Sequence, residues 1–154
     1  MTRSGPRDTA TAMLEAVRML HASHDALLER AAERYGISRN DLRCLEVLQR
    51  EGPMRPQQLA VRSQLSPAAI TKVTDRLVAA GFVERRPVEG DRRGHLLGLS
   101  GHRADLRQET WDGVRDDALA ELATLEPADA RRFARTLTAL AAINSAHAER
   151  LADS

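Results

Sequence analysis

The sequence predicts a mainly α-helical fold that carries one small β-hairpin. Along most of the 154 residues, apolar side chains recur at spacings of three and four, which is the period of an amphipathic helix. Cap and stop residues divide this pattern into separate helices. Two short apolar runs, at 82–83 and 96–99, flank a segment with glycine at both ends, as expected for two strands and their turn.

A long helix is predicted near each terminus. The first runs from about Thr9 to Tyr35 and is stopped by Gly36, and the last begins at Pro127. Their apolar faces comprise Met13, Val17, Leu20, His24, Leu27 and Ala31 in the first helix, and Phe133, Leu137, Leu140, Asn144, His147 and Leu151 in the last. Another stripe, Leu106, Val114, Ala118, Leu122 and Leu125, lies between them.

The last of these faces resembles a short heptad seam with Asn144 inside it. A buried asparagine in such a seam fixes register at some cost in stability. Packing within one subunit is the alternative. We favour dimerisation, because a small domain offers the long terminal helices little to pack on except each other and a second copy.

Between the terminal helices lies a predicted helix-turn-helix. Ser38 is a plausible N-cap with Asp41 three residues on, as in a capping box, and Pro56 opens a third, short helix. The tight connection 63–66 follows, and Ser66-Pro67 starts a fourth helix that ends at Gly81. Two helices joined by such a turn form a helix-turn-helix, and the hairpin after it makes a winged helix.

The predicted organisation therefore has three parts. Residues 1–37 form an N-terminal dimerisation helix, residues 38–101 the winged helix-turn-helix, and residues 102–154 the C-terminal dimerisation helices.

Charge is distributed unevenly along a chain whose formal net charge is only +1. The segment from Arg55 to Arg103 contains nine basic and four acidic residues, which gives it a local net charge of +5. Such a basic segment favours a polyanion as partner, although ordinary solvated charge is the alternative. The single cysteine, Cys44, excludes an internal disulfide and fits a reducing cytoplasm. No apolar run approaches the roughly 20 residues that span a bilayer.

The outward face of the fourth helix is the first candidate binding surface. Once the core positions Ile70, Val73 and Leu77 are set aside, small and basic residues remain. Small side chains let a helix approach base edges closely, and the thymine methyl suits alanine and threonine. We expect base readout by Ala68, Ala69, Thr71 and Lys72, phosphate at the helix N-terminus with Ser66 and Pro67, and Arg76 on the DNA backbone. The alternative is a solvated helix face.

The hairpin tip is the second candidate surface. Gly90 and Gly94 bracket Asp91, Arg92 and Arg93. Arginines suit the negative potential of the minor groove, and Asp91 could orient one of them. Arg86, closer to the start of the hairpin, completes the predicted DNA-binding set. A salt-bridged, solvated turn is the alternative, and such exposed pairs contribute little to stability.

These residues together resemble the MarR family of bacterial transcription regulators. The runs that carry the resemblance are "GPMRPQQLAVRSQLSPAAITKVTDRLVAAGFVERRP" and "GDRRGHLLGLS". The resemblance implies a homodimer on a pseudo-palindromic operator, with recognition helices in successive major grooves about 34 Å apart and wings in the flanking minor grooves. It assigns Asp91 and Arg93 to the wing and Arg76 to the recognition helix. Arg55 and Arg103 depart from the family pattern at the starts of two helices.

The resemblance also implies repression relieved by a small aromatic or lipophilic effector, with His21, Leu45 and Trp111 as candidate lining residues. No cofactor is implied. The alternatives are a winged helix that binds protein, or a regulator without an effector. An enzyme is disfavoured, because Cys44 lies in an apolar run typical of a core residue and His21, His24 and Asp25 do not complete a metal site.

Overall fold

The computed structural model describes residues 5–88 and 90–152. Within these ranges the chain forms helices and one two-stranded antiparallel sheet. The helices are α1 (Pro6–Tyr35), α2 (Arg39–Glu51), α3 (Pro56–Ser63), α4 (Pro67–Ala79), α5 (Ala104–Leu122) and α6 (Pro127–Ala152), and the strands are β1 (Val83–Val88) and β2 (Asp91–Leu99). A 3-10 turn, Gly101–Arg103, precedes α5. The predicted fold class, mainly helical with a hairpin wing, is confirmed.

Local cap chemistry sets most helix boundaries. The Ser38 hydroxyl accepts the Asp41 backbone N–H at 3.2 Å, while the Asp41 carboxylate accepts the Ser38 N–H at 3.0 Å, which confirms the predicted capping box. Gly36 ends α1 in the left-handed conformation at φ +66°, where glycine carries no steric penalty. α1 begins earlier than Thr9, because Pro6 and Asp8 supply a helix start, with Asp8 accepting the Gly5 N–H at 2.9 Å.

The chain divides into two compact units, Met1–Leu106 and Arg107–Ser154. The first holds the hydrophobic core, where the C-terminal part of α1 joins the winged helix through Leu28, Ala31 and Tyr35. In the second, no described residue of α5 or α6 reaches full burial. The predicted apolar stripes there remain largely exposed, as do Asn144 and His147.

The hairpin is tighter than the sequence predicted. Its strands pair in regular register from Val83↔Leu99 to Pro87↔His95, after which a register shift brings Val88 opposite Asp91. The segment from Asp91 to Gly94 therefore belongs to β2, so the turn is shorter than the predicted tip bracketed by Gly90 and Gly94. The shift falls at Pro87, which has no N–H to donate to a ladder.

The hairpin is also attached to the loop before α3. Met54 and Leu97 exchange two backbone hydrogen bonds, of 3.1 and 2.8 Å, so that a short bridge extends the sheet beyond its two strands. This anchors β2 beside the helix-turn-helix. No helix within the described ranges is long and apolar enough to cross a membrane.

Candidate nucleic-acid interface

Helix α4 presents opposite faces to the core and to solvent. Ile70, Val73 and Leu77 are buried, whereas the outward residues Pro67, Ala68, Thr71, Lys72, Asp75 and Arg76 are all exposed. The division follows the helical period expected from the sequence. Ala69 is only half exposed, so it lies at the edge of the outward face.

The N-terminal half of α4 combines a capped start with small side chains. The Ser66 hydroxyl accepts the Ala69 N–H at 3.2 Å, which confirms Ser66 as the N-cap. The Thr71 hydroxyl donates to the Pro67 carbonyl at 3.1 Å, so its own helix already uses that proton. Lys72, one residue on, forms no ion pair with any described residue. This end of α4 therefore offers a small, uncrowded surface with an available cation.

Arg76 is bound to a carboxylate of another helix. Its Nε and Nη2 atoms lie 3.2 and 2.6 Å from the two carboxylate oxygens of Asp41 in α2. The Asp41 side chain is 2% exposed and that of Arg76 is 52% exposed. Burial alone would raise the pKa of Asp41, but hydrogen bonds from Arg76 and Ser38 outweigh it and lower that pKa below its ordinary value. Arg76 thus joins α4 to the start of α2.

Two arginines of β1, the first strand of the wing, pair with acidic residues. Arg85 Nη2 lies 2.6 Å from Asp75 Oδ1 of α4, and Arg86 Nε lies 2.8 Å from Glu84 Oε1. The Arg86 guanidinium also lies over Gly98, where an added Cβ would come within 3.0 Å of its Cζ. The sequence reading missed the link between Arg85 and Asp75, since no local pattern marks a pair ten residues apart.

The side chains of Asp91, Arg92 and Arg93 lie outside the described part of the structure. Their predicted placement in a minor groove, and the orienting role of Asp91, therefore stay predictions. The described carboxylates that hold wing arginines are those of Asp75, which binds Arg85, and Glu84, which binds Arg86.

Arg103 lies at the junction between the wing and α5. Its Nε donates to the Ala80 carbonyl at 3.2 Å, just beyond α4, and its guanidinium lies 5.6 Å from the ring centre of Phe82. The Phe82 ring in turn lies 5.1 Å from that of Tyr35, the last residue of α1. This departure from the family pattern therefore has a structural role, because Arg103 binds the C-terminal end of α4.

The three residues predicted to line an effector cleft are placed differently. His21 is exposed on α1, Leu45 is 3% exposed within the core, and Trp111 is half-buried in the second unit. The cleft remains a prediction. Cys44 is fully buried, as predicted for a core residue, and burial raises the pKa of its thiol.

Comparison with known proteins agrees with this geometry. Residues 37–95 match the model of the MarR family. An uncharacterized HTH-type transcriptional regulator of Mycobacterium bovis is 38% identical over 90 residues, which span 58% of this chain and 62% of the relative's length. The matched region thus covers less than two thirds of that curated relative.

Solved structures share the fold over more of the chain. The crystal structure of RV1404 from Mycobacterium tuberculosis has a TM-score of 0.66 at 26% identity, covering 92% of this chain and 95% of that one. NadR in complex with 4-hydroxyphenylacetate has a TM-score of 0.59 at 21% identity, covering 92% and 97%. The winged helix-turn-helix is thus similar to the MarR family, whose model it matches, and the fold is shared with these solved structures.

Proposed function

We propose that this protein is a homodimeric, sequence-specific DNA-binding transcription regulator that represses through a pseudo-palindromic operator. Members of the MarR family are transcription regulators rather than enzymes. The observation that carries the proposal is the outward face of α4, where Ala68, Thr71 and Lys72 stand exposed opposite a fully buried face. A capped helix start, small side chains and an available cation are what a major-groove reading helix needs.

The dimer is supported by apolar side chains that a single chain leaves in solvent. On α1 these are Met13, Leu14, Met19 and Leu20, and on α6 they include Phe133, Ile143 and Leu151. A second copy would cover them, and two copies would supply the two reading helices that a pseudo-palindrome requires.

Release by a small aromatic or lipophilic ligand completes the proposal. Its support is the fold shared with NadR, whose structure holds 4-hydroxyphenylacetate. His21, Leu45 and Trp111 are the candidate contacts.

DNA selected from random duplexes, followed by fluorescence anisotropy across a range of salt, tests the proposal. We expect an enriched pseudo-palindrome bound by the wild type, and aromatic acids added to the complex should release it. Lys72→Ala should weaken binding by about 1–3 kcal/mol and relax the preference at the base it contacts, as expected for a lost base contact. A fall of about one in the slope of log Kd against log salt would place Lys72 on a phosphate instead. Thr71→Ser should lose affinity only for sites with a thymine methyl at the contacted base.

Arg132→Ala serves as the matched control, because Arg132 is a 77% exposed arginine on α6. It should bind the selected DNA with the wild-type affinity and slope. No enriched sequence, or equal effects of Lys72→Ala and Arg132→Ala, would contradict readout by α4.

A further inference from the structure

We propose that Arg76 is a positioning residue that holds the reading helix through Asp41, rather than a contact to the DNA backbone. The inference deepens the proposed function and rests on it. From the sequence we expect Arg76 on the DNA backbone, whereas in the structure the edge of its guanidinium that carries Nε and Nη2 is already hydrogen-bonded to one carboxylate.

The geometry favours a positioning role because the pair is bidentate and only one of its partners, Asp41, is buried. Parallel N–H···O bonds from arginine to a carboxylate fix orientation as well as distance. Asp41 is almost entirely buried, and a buried carboxylate that loses its cation is costly to the fold. Turning the Nε and Nη2 donors of Arg76 toward a phosphate would therefore leave a buried charge unpaired.

Asp41 is itself held in place, so the pair can define the position of α4. Its Oδ2 accepts the Ser38 N–H at 3.0 Å in addition to the Arg76 Nε–H. The carboxylate lies in the first turn of α2, where the helix dipole also favours negative charge. α2 contributes six buried residues, Asp41 among them, to the core, so the start of α2 is a rigid reference for α4.

The position of Arg76 along α4 makes this tether relevant to DNA. Arg76 follows Lys72 by one helical turn and lies C-terminal to the exposed reading surface of Ala68, Thr71 and Lys72. Hydrophobic contacts of Ile70, Val73 and Leu77 hold α4 against the core but specify its rotation about its own axis loosely. A bidentate pair near the C-terminal end of α4 fixes that rotation and hence the direction in which Thr71 and Lys72 point.

The test compares Asp41→Asn, Arg76→Lys and their combination, using the full-length protein and the selected operator. Asp41→Asn keeps the shape and an acceptor for the Ser38 N–H while removing the charge. Arg76→Lys keeps a cation that can meet a phosphate but loses the planar fork. We expect each single variant to raise Kd about tenfold, the combination to raise it no further than either one, and the salt slope to stay at the wild-type value.

Ser38→Ala separates positioning from general loss of stability. It removes the hydroxyl that accepts the Asp41 N–H and should lower Tm, but it leaves the pair with Arg76 in place, so Kd should stay within twofold of wild type. Thermal unfolding of every variant establishes that it is folded at the assay temperature, and Arg76→Lys carries the test if Asp41→Asn is not.

The proposal would be overturned if Asp41→Asn bound the operator as tightly as the wild type or more tightly, or if Arg76→Lys bound it with wild-type affinity. Either result is expected if Arg76 contacts a phosphate directly, because neither variant removes the cation. A salt slope reduced by about one in Arg76→Ala alone would assign Arg76 to the DNA backbone instead. Failure of the wild type to select any DNA is a different outcome, which removes the proposed function itself.

Discussion

At the scale of single residues, the buried carboxylate of Asp41 links the stability of the fold to pH. Its pKa lies below the ordinary value because hydrogen bonds from Arg76 and Ser38 outweigh the effect of burial. The unfolded chain therefore binds this proton more readily than the folded one. Stability from the ionised group is present in full above the unfolded pKa of about 3.9 and is lost as pH falls from there through the lower folded pKa.

We expect Tm to fall steeply with acid below about pH 4 in the wild type and less steeply in Asp41→Asn, which has no proton to gain at this site. Thermal unfolding followed by circular dichroism between about pH 3 and 7 measures both curves. Asp105→Asn is the control, because Asp105 is an exposed carboxylate in the first turn of α5, and its curve should parallel the wild type. Parallel curves for Asp41→Asn and wild type would contradict the coupling.

Of the two interactions of Asp41, one could be predicted from the sequence and the other could not. Its capping role could be predicted, because the partner Ser38 lies three residues away in a recognised pattern. Its pairing with Arg76 could not, since the two are 35 residues apart and only the packing of α4 on α2 brings them together. The pair of Arg85 with Asp75 could not be predicted for the same reason, because it forms only where the first wing strand passes α4.

At the scale of elements, Phe82 joins three parts of the first unit. It is 1% exposed, follows the end of α4, and contacts both Tyr35 of α1 and the Arg103 guanidinium before α5. Truncating a fully buried aromatic removes its transfer free energy and leaves a cavity. We expect Phe82→Ala to lower the free energy of unfolding by about 3–5 kcal/mol.

Val61 of α3 serves as the control, because its side chain is 76% exposed and lies outside the terminal helices that a second copy would cover. Urea unfolding at a protein concentration held constant compares the two variants. Val61→Ala should cost well under half as much as Phe82→Ala. Comparable losses of unfolding free energy would mean that the Phe82 ring does not hold these elements together.

Element boundaries were the most predictable level of this fold. Ser38, Ser66 and Pro127 each begin or precede a helix as expected, because caps and N1 prolines act through neighbouring backbone groups alone. The predicted hairpin turn was too long, because two glycines suggested a tip from Gly90 to Gly94. In the structure, strand pairing with a register shift at Pro87 continues through Asp91. Pairing is a property of two segments, so one segment's composition does not determine it.

At the scale of the whole molecule, the apolar terminal helices determine the expected assembly. Met19 is 73% exposed and Leu20 55% exposed on α1, and a patch of neighbouring large apolar side chains on a folded chain marks an interaction surface. The sequence period predicted an apolar face that includes Leu20 but not Met19. What covers these side chains depends on a second molecule and lies beyond any single chain. A homodimer of the 17.0 kDa chain follows from the proposed function.

Sedimentation equilibrium should therefore give a mass twice that of the chain, and Met19→Glu/Leu20→Glu should give the monomer, because a carboxylate in an apolar interface is unpaired and desolvated. The matched control is Val61→Glu on α3, where a 76% exposed valine lies outside the terminal helices, and it should remain dimeric. Since a pseudo-palindrome is bound by two linked reading helices, the monomer should bind the selected DNA about a hundredfold more weakly than the dimer. A monomeric wild type that still binds its operator tightly would contradict the dimer, whereas a dimeric Met19→Glu/Leu20→Glu variant would move the interface away from this part of α1.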